Sequence, residues 1–155
     1  MLLNWSEKWQ IPFNPTKCVH LKILNKLFSV PTSYHMDDHL IQKSSSATYL
    51  GITIDHRLNW KEHINKVVAK SNSVNAFLKR NLSGCSIKVK KNCSMAMVQP
   101  VIEYAAIIWS PYTYCDIYKV EMVQHRSARF IMNNYTRMAS VTDMLTQLDL
   151  PSLEK

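Results

Sequence analysis

The sequence predicts an α+β protein, with a small antiparallel β edge over residues 1–58 followed by a mainly helical bundle over residues 59–155. Three observations predict it. Residues 17–23 and 46–54 hold β-branched and aromatic side chains in short runs bounded by turn formers, as strands do. From Trp60 onward, apolar residues recur every three or four positions for more than twenty residues, the period of an amphipathic helix. The chain of 155 residues is 46% hydrophobic yet has only 2 Gly, which suits a helix-rich core with few open loops.

The first segment reads as follows. Leu2, Leu3, Trp5 and Trp9 share one face of a short helix over residues 1–10, without an N-cap, and Pro12 and Pro15 forbid its continuation. Residues 17–23 alternate apolar and polar, the period of a half-buried strand. After a loop with Pro31 come two short strands, Tyr34-His35-Met36 and Leu40-Ile41-Gln42, around a turn at Asp37-Asp38-His39. A Ser44-Ser45-Ser46 linker enters a strand over residues 49–54, where Gly51 permits a kink or a close approach. Asp55-His56-Arg57 turns the chain, and Asn59 caps the helix that starts at Trp60. So few strands are not stable alone, and Trp5, Trp9 and Leu21 are expected to remain exposed.

The first long helix buries Trp60, Ile64, Val67, Val68, Ser71, Val74, Phe77, Leu78 and Leu82, and Gly84 ends it. Ser86 caps a second helix with Ile87, Val89, Met97 and Val98 on its stripe; it kinks at Pro100 and runs on to Trp109. Asp116 caps a third, with Ile117, Val120, Val123, Ala128, Phe130 and Ile131 buried. Ser140 and Asp143 start a fourth, with Met144, Leu145 and Leu148 apolar, and residues 150–155 read as the entry to a fifth. Apparent elements are cut at both ends, which reads as a fragment.

The formal charge is +8, and residues 58–155 hold 13 Lys and Arg against 7 Asp and Glu. The helical part is the basic part, which points to an anionic partner. Cys18, Cys85, Cys93 and Cys115 lack metal-ligand or disulfide spacing and read as reduced, packed thiols of an intracellular protein, nuclear or cytoplasmic. No apolar run reaches 18 residues, so no membrane partner is expected. Two glycines exclude both a phosphate-binding loop and a dinucleotide fingerprint.

Several motifs together carry a family resemblance. They are Trp5-x-x-x-Trp9, Phe13-Asn14-Pro15-x-Lys17-Cys18, Tyr49-Leu50-Gly51-Ile52, and Leu58-x-Trp60-x-x-His63-Ile64. Further along come Phe77-Leu78-Lys79-Arg80-Asn81-Leu82, Val101-Ile102-Glu103-Tyr104-Ala105-x-x-x-Trp109-x-Pro111, and Val123-Gln124-x-Arg126-x-Ala128-Arg129-Phe130. In this order the chain resembles the reverse transcriptases of non-LTR, LINE-type retrotransposons. The resemblance implies a C-terminal segment downstream of the catalytic Tyr-x-Asp-Asp hairpin: palm end and primer grip over residues 1–58, thumb and post-thumb helices over residues 59–155. It implies RNA and DNA template–primer as partners, together with the remaining palm and fingers, and magnesium for the intact enzyme.

Catalytic residues are not expected here, nor metal ligands. Tyr34, followed by His35-Met36-Asp37-Asp38, imitates the catalytic box, but phosphoryl transfer needs an upstream carboxylate, and only Glu7 precedes position 37. Asp37 and Asp38 read as turn residues. The expected nucleic-acid contacts are Tyr49, Leu50 and Gly51 at the grip and Lys66, Lys70, Lys79, Arg80, Lys88, Lys91, Arg126 and Arg129 on the helices. Lys66 with Lys70, Lys88 with Lys91, and Arg126 with Arg129 have spacings that share a helix face, as contacts to successive phosphates require. Trp60, Phe77, Trp109 and Phe130 read as core, and His63 and His125 as ordinary surface or core histidines. A helical protein-interaction module or an inert retroelement remnant are the alternatives.

Overall fold

The computed structural model describes residues 2–23, 32–36, 38–136 and 138–150. They fall into two compact units, Met1–Asn59 and Trp60–Lys155. The protein is mixed α and β.

In the first unit, α1 spans Leu2–Lys8. It ends before either proline acts. Ile11 N–H donates to the Ser6 carbonyl at 3.0 Å and Gln10 N–H to that of Glu7 at 3.2 Å, with Gln10 left-handed at φ 54°. This is a Schellman closure on a residue other than glycine. Trp5 and Trp9 stay exposed, as expected, while Leu21 is half-buried.

Asn14 caps a 3₁₀ turn at Pro15–Lys17. Then come β1 (Val19–Leu21), β2 (His35–Met36), β3 (His39–Leu40), β4 (Gln42–Ser44), β5 (Ser46–Tyr49) and β6 (Ile52–Asp55). They form three separate two-stranded pairs. β2–β3 and β5–β6 are antiparallel, but β1 pairs with β4 in parallel, Val19 beside Gln42, so the edge is not purely antiparallel. Asp38 lies exposed in the β2–β3 turn; Asp37 lies outside the described residues, as do Pro31 and residues 151–155 of the expected fifth helix.

The strand expected over residues 49–54 is instead a hairpin. Tyr49 pairs with Ile52, and Leu50 and Gly51 make the turn with φ of 48° and 80°. Positive φ at both central residues is what a type I′ turn requires, and that turn matches the twist of the flanking strands. Gly51 therefore marks neither a bulge nor a kink.

In the second unit, α2 spans Lys61–Asn81, α3 Ile87–Met97, α4 Gln99–Glu103, α5 Ala106–Trp109, α6 Tyr114–Met132 and α7 Val141–Gln147. The buried core joins Ile64, Val67 and Leu78 of α2 to Val120, Val123, Ala128, Phe130 and Ile131 of α6, with Val98, Ile102, Trp109, Met144, Leu145 and Leu148 around them. Each fully buried aliphatic or aromatic side chain contributes about 1.5–3 kcal/mol.

Several expectations are corrected here. Asn59 is not the cap of α2: Trp60 holds that position with helical backbone and no side-chain cap bond. Gly84 does not end α2 either. The C-cap is Leu82, and Gly84 lacks the positive φ of a closing glycine. Phe77 is exposed rather than core.

On α3, Ile87, Val89 and Met97 face solvent and Lys90 and Ser94 are buried instead, while Val98 is buried as expected. Lys90 is tolerated there because its apolar stem packs while Nζ sits 5.3 Å from the centre of the Phe130 ring. Ser86 caps α3, its hydroxyl accepting from Val89 N–H at 3.5 Å.

The helix breaks at Val98, two residues before Pro100, which sits in the first turn of α4, and again at Ala105, left-handed at φ 52°. The Trp109 indole N–H donates at 2.8 Å to the carbonyl of Tyr104, the residue before the second break.

Thr113, not Asp116, caps α6. Its hydroxyl accepts from Asp116 N–H at 3.3 Å and donates to Asp116 Oδ2 at 2.9 Å. Ser140 caps α7 with Asp143 three residues on, as read. All four cysteines are free, but Cys85 and Cys115 are exposed rather than packed.

Candidate nucleic-acid interface

The site begins with how α2 and α6 meet. Lys119 Nζ donates to Asn65 Oδ1 at 3.2 Å, and Arg126 Nη1 donates to Asn72 Oδ1 at 2.8 Å. Both pairs are separated by 54 positions, so the two helices run parallel. A step of seven residues returns to nearly the same face after two turns, which lets one rung follow another. Between the rungs and the core, Ser127 Oγ donates to Asn75 Oδ1 at 2.9 Å, and Asn75 Nδ2 donates to the Val123 carbonyl at 3.4 Å. Buried amides are stable only when bonded in this way.

Beyond the last rung the helices frame a groove of about 410 Å³. Asn72, Asn75, Ala76 and Lys79 of α2 line one side, and Arg126, Arg129 and Phe130 of α6 the other, with Tyr135 at the rim. All three cations are held by neutral partners. Lys79 Nζ lies 4.5 Å from the Tyr135 ring centre, Arg126 holds Asn72, and Arg129 Nη1 donates to the Thr136 carbonyl at 3.2 Å.

Among the described residues, the carboxylates of this unit that form ion pairs do so elsewhere. Glu62 bridges Lys66 at 2.8 Å, Asp116 bridges Lys119 at 2.8 Å, and Glu121 approaches His125 at 3.9 Å. The Lys119 hydrogen bond holds the Asp116 carboxyl below its ordinary range and raises the Lys119 ammonium in turn. The ends of α2 and α6 oppose anion binding with about half a negative charge each. Three full positive charges outweigh them.

The residues singled out by sequence thus divide. Lys79, Arg126 and Arg129 meet at the groove. Lys66 is paired with Glu62, and Lys70, Arg80 and Lys88 are exposed outside the lining, with Lys91 half-buried. Tyr49 and Leu50 are both exposed at the tip of the β5–β6 hairpin, with Gly51 beside them. Asn72, Asn75 and Tyr135 were missed. The signal for Asn72 was available: Asn65, Asn72 and Lys79 on one helix repeat every seven residues, as do Lys119 and Arg126 on the other.

His63 is buried edge-on against Trp109, ring centres 5.3 Å apart, and burial, helped by the Lys66 charge, pushes its pKa down. Among the described residues no group of three His, Cys, Asp or Glu is arranged to hold a metal. No described helix is long and apolar enough to cross a membrane.

The chain is 24% identical over 135 residues to the RNA-directed DNA polymerase from mobile element jockey of Drosophila melanogaster, aligning 83% of the chain. Against the probable RNA-directed DNA polymerase from transposon BS of the same organism, it is 24% identical over 135 residues, 84% of the chain. The chain is similar to RNA-directed DNA polymerases of non-LTR mobile elements.

A third such relative, from transposon X-element of Drosophila melanogaster, is 23% identical over 131 residues. The chain spans 14–15% of the length of these polymerases. No family model matches the chain, and no solved structure does.

Proposed function

We propose that this polymerase-related chain binds the sugar–phosphate backbone of an RNA–DNA template–primer, as the thumb-like and primer-grip part of a reverse transcriptase. The observation that carries this reading is the groove, where Lys79, Arg126 and Arg129 converge and no described carboxylate neutralises them. Charges held by neutral partners keep their full attraction for phosphate. Lys66, Lys70, Arg80, Lys88 and Lys91 add a diffuse positive field around the groove. The exposed tip of Tyr49, Leu50 and Gly51 is the proposed grip on the primer end. Catalysis, and the magnesium that the resemblance implies for it, is not proposed for this chain. Its place of action is intracellular, in nucleus or cytoplasm.

Titrating a labelled RNA–DNA hybrid at increasing salt tests the reading. Affinity is expected to fall steeply, and the slope of log affinity against log salt to shrink by about 0.9 for each of Lys79, Arg126 and Arg129 replaced by Gln. Primer extension is expected to show no synthesis. Binding indifferent to salt would overturn the reading in favour of a protein-interaction module. That second reading is favoured by one observation, the exposed run of Ile107, Ile108, Tyr112, Tyr114 and Tyr118.

A further inference from the structure

We infer that the groove between α2 and α6 is a subsite for a single unpaired nucleotide, its phosphate held by Arg126 and Arg129 and its base laid against Tyr135. The inference rests on the nucleic-acid reading above and narrows it from backbone tracking to capture of one nucleotide.

Three features carry it. The first is size and shape. The half-open groove between the two helices, about 410 Å³, has the volume of a small-ligand site. A duplex keeps its bases stacked inside and can offer such a recess only phosphates. A nucleotide released from pairing can enter whole.

The second is the rim. Tyr135 is 49% exposed at the rim, with Lys79 Nζ over one face of its ring. Every base has a π-face, so stacking on such a ring is tolerant of sequence.

The third is the polar arrangement around it. Arg126 and Arg129 share one face of α6, and each is positioned by a neutral oxygen, Asn72 Oδ1 and the Thr136 carbonyl. Each planar fork keeps further N–H groups for a phosphate. Asn72 spends its oxygen on Arg126 and keeps its amide N–H donors on the groove wall, suited to a base carbonyl or a ribose hydroxyl.

The test titrates the full chain with inorganic phosphate, adenosine and adenosine 5′-monophosphate, read by calorimetry and by amide NMR shifts, then with single-stranded and duplex oligonucleotides of equal charge. The monophosphate is expected to bind about tenfold tighter than phosphate, within what base–aromatic stacking contributes. Tyr135→Leu should remove that tenfold and leave phosphate binding unchanged, and Tyr135→Phe should retain it. Arg126→Gln with Arg129→Gln should weaken both ligands. Single strands should bind tighter than duplex and lose that preference in Tyr135→Leu. Equal affinity for phosphate and monophosphate, or an unaltered preference in Tyr135→Leu, overturns the inference and leaves backbone binding standing. Failure of every oligonucleotide to bind overturns both. Thermal melting of each variant separates a lost ligand from a lost fold.

Discussion

The two units use opposite means to hold their shape. In the first, three independent strand pairs carry the chain, and among its described side chains only Ser6, Ile52 and Thr53 are buried. In the second, 14 buried side chains pack as one cluster. Two-stranded pairs are marginal in water, whereas a continuous apolar core resists opening cooperatively. The contrast teaches where each kind of contact can be built. The groove stands on two long helices fixed by the core, a frame rigid enough to position charges. The proposed grip stands on the exposed tip of a two-stranded hairpin.

Hydrogen exchange on the full chain should break this comparison if it is wrong. Amides of α2 and α6 facing the core are expected to exchange about a thousandfold more slowly than those of β1 to β4. Similar rates in both would sink it. Next in size, Leu78→Ala should cost about 2–5 kcal/mol in denaturant melts, because it opens a cavity in a packed core. Val19→Ala on the exposed face of β1 should cost less than about 0.5 kcal/mol.

Acid should narrow the difference between the units. Burial holds the His63 pKa below its ordinary 6.5, so on acidification the unfolded chain takes up the proton first. Stability contributed by neutral His63 is present above pH 6.5 and declines as pH falls from 6.5 toward the depressed folded value. A melting temperature that drops over that window in wild type and less in His63→Gln is the expected outcome. The smallest effect lies in the hairpin. Leu50 sits at φ 48°, which costs a branched side chain about 1 kcal/mol relative to Asn. Leu50→Asn should slow exchange of the β5–β6 amides about fivefold and leave α2 unchanged.

Much of the helical unit was legible because periodicity reports burial directly. Ile64, Leu78, Val123 and Ile131 fell on their stripes, and Ser86 and Ser140 marked helix starts through the chemistry of capping. The failures have physical causes. Lys90 is buried because a long stem can pack while its charge rests over an aromatic ring, which no hydropathy pattern reports. The end of α2 was misplaced at Gly84 because Leu82 closes it without a left-handed residue, and where left-handed closures occur in this chain with 2 Gly they fall on Gln10, Asn133 and Asp149. The hairpin at Leu50 and Gly51 was read as one strand because Leu is rare at the first turn position. At the groove, three of the eight cations expected on the helices were brought together, while Tyr135 had no pattern to betray it. Its place depends on Asn133 turning the chain back after α6.

The seven-residue rungs between α2 and α6 make their docking a toothed rack rather than a sliding contact. A slip of four residues, about one turn or 5.4 Å, would set Asn72 beside Met122 or Phe130 and Asn65 beside Cys115 or Val123. Each such slip also parts the buried Asn75 amide from Ser127 and from the Val123 carbonyl, at about 1–3 kcal/mol per lost partner. Intermediate settings are thereby removed from the assembly landscape. Lys79, Arg126 and Arg129 arrive together when the teeth engage, and a half-docked helix pair presents no groove at all.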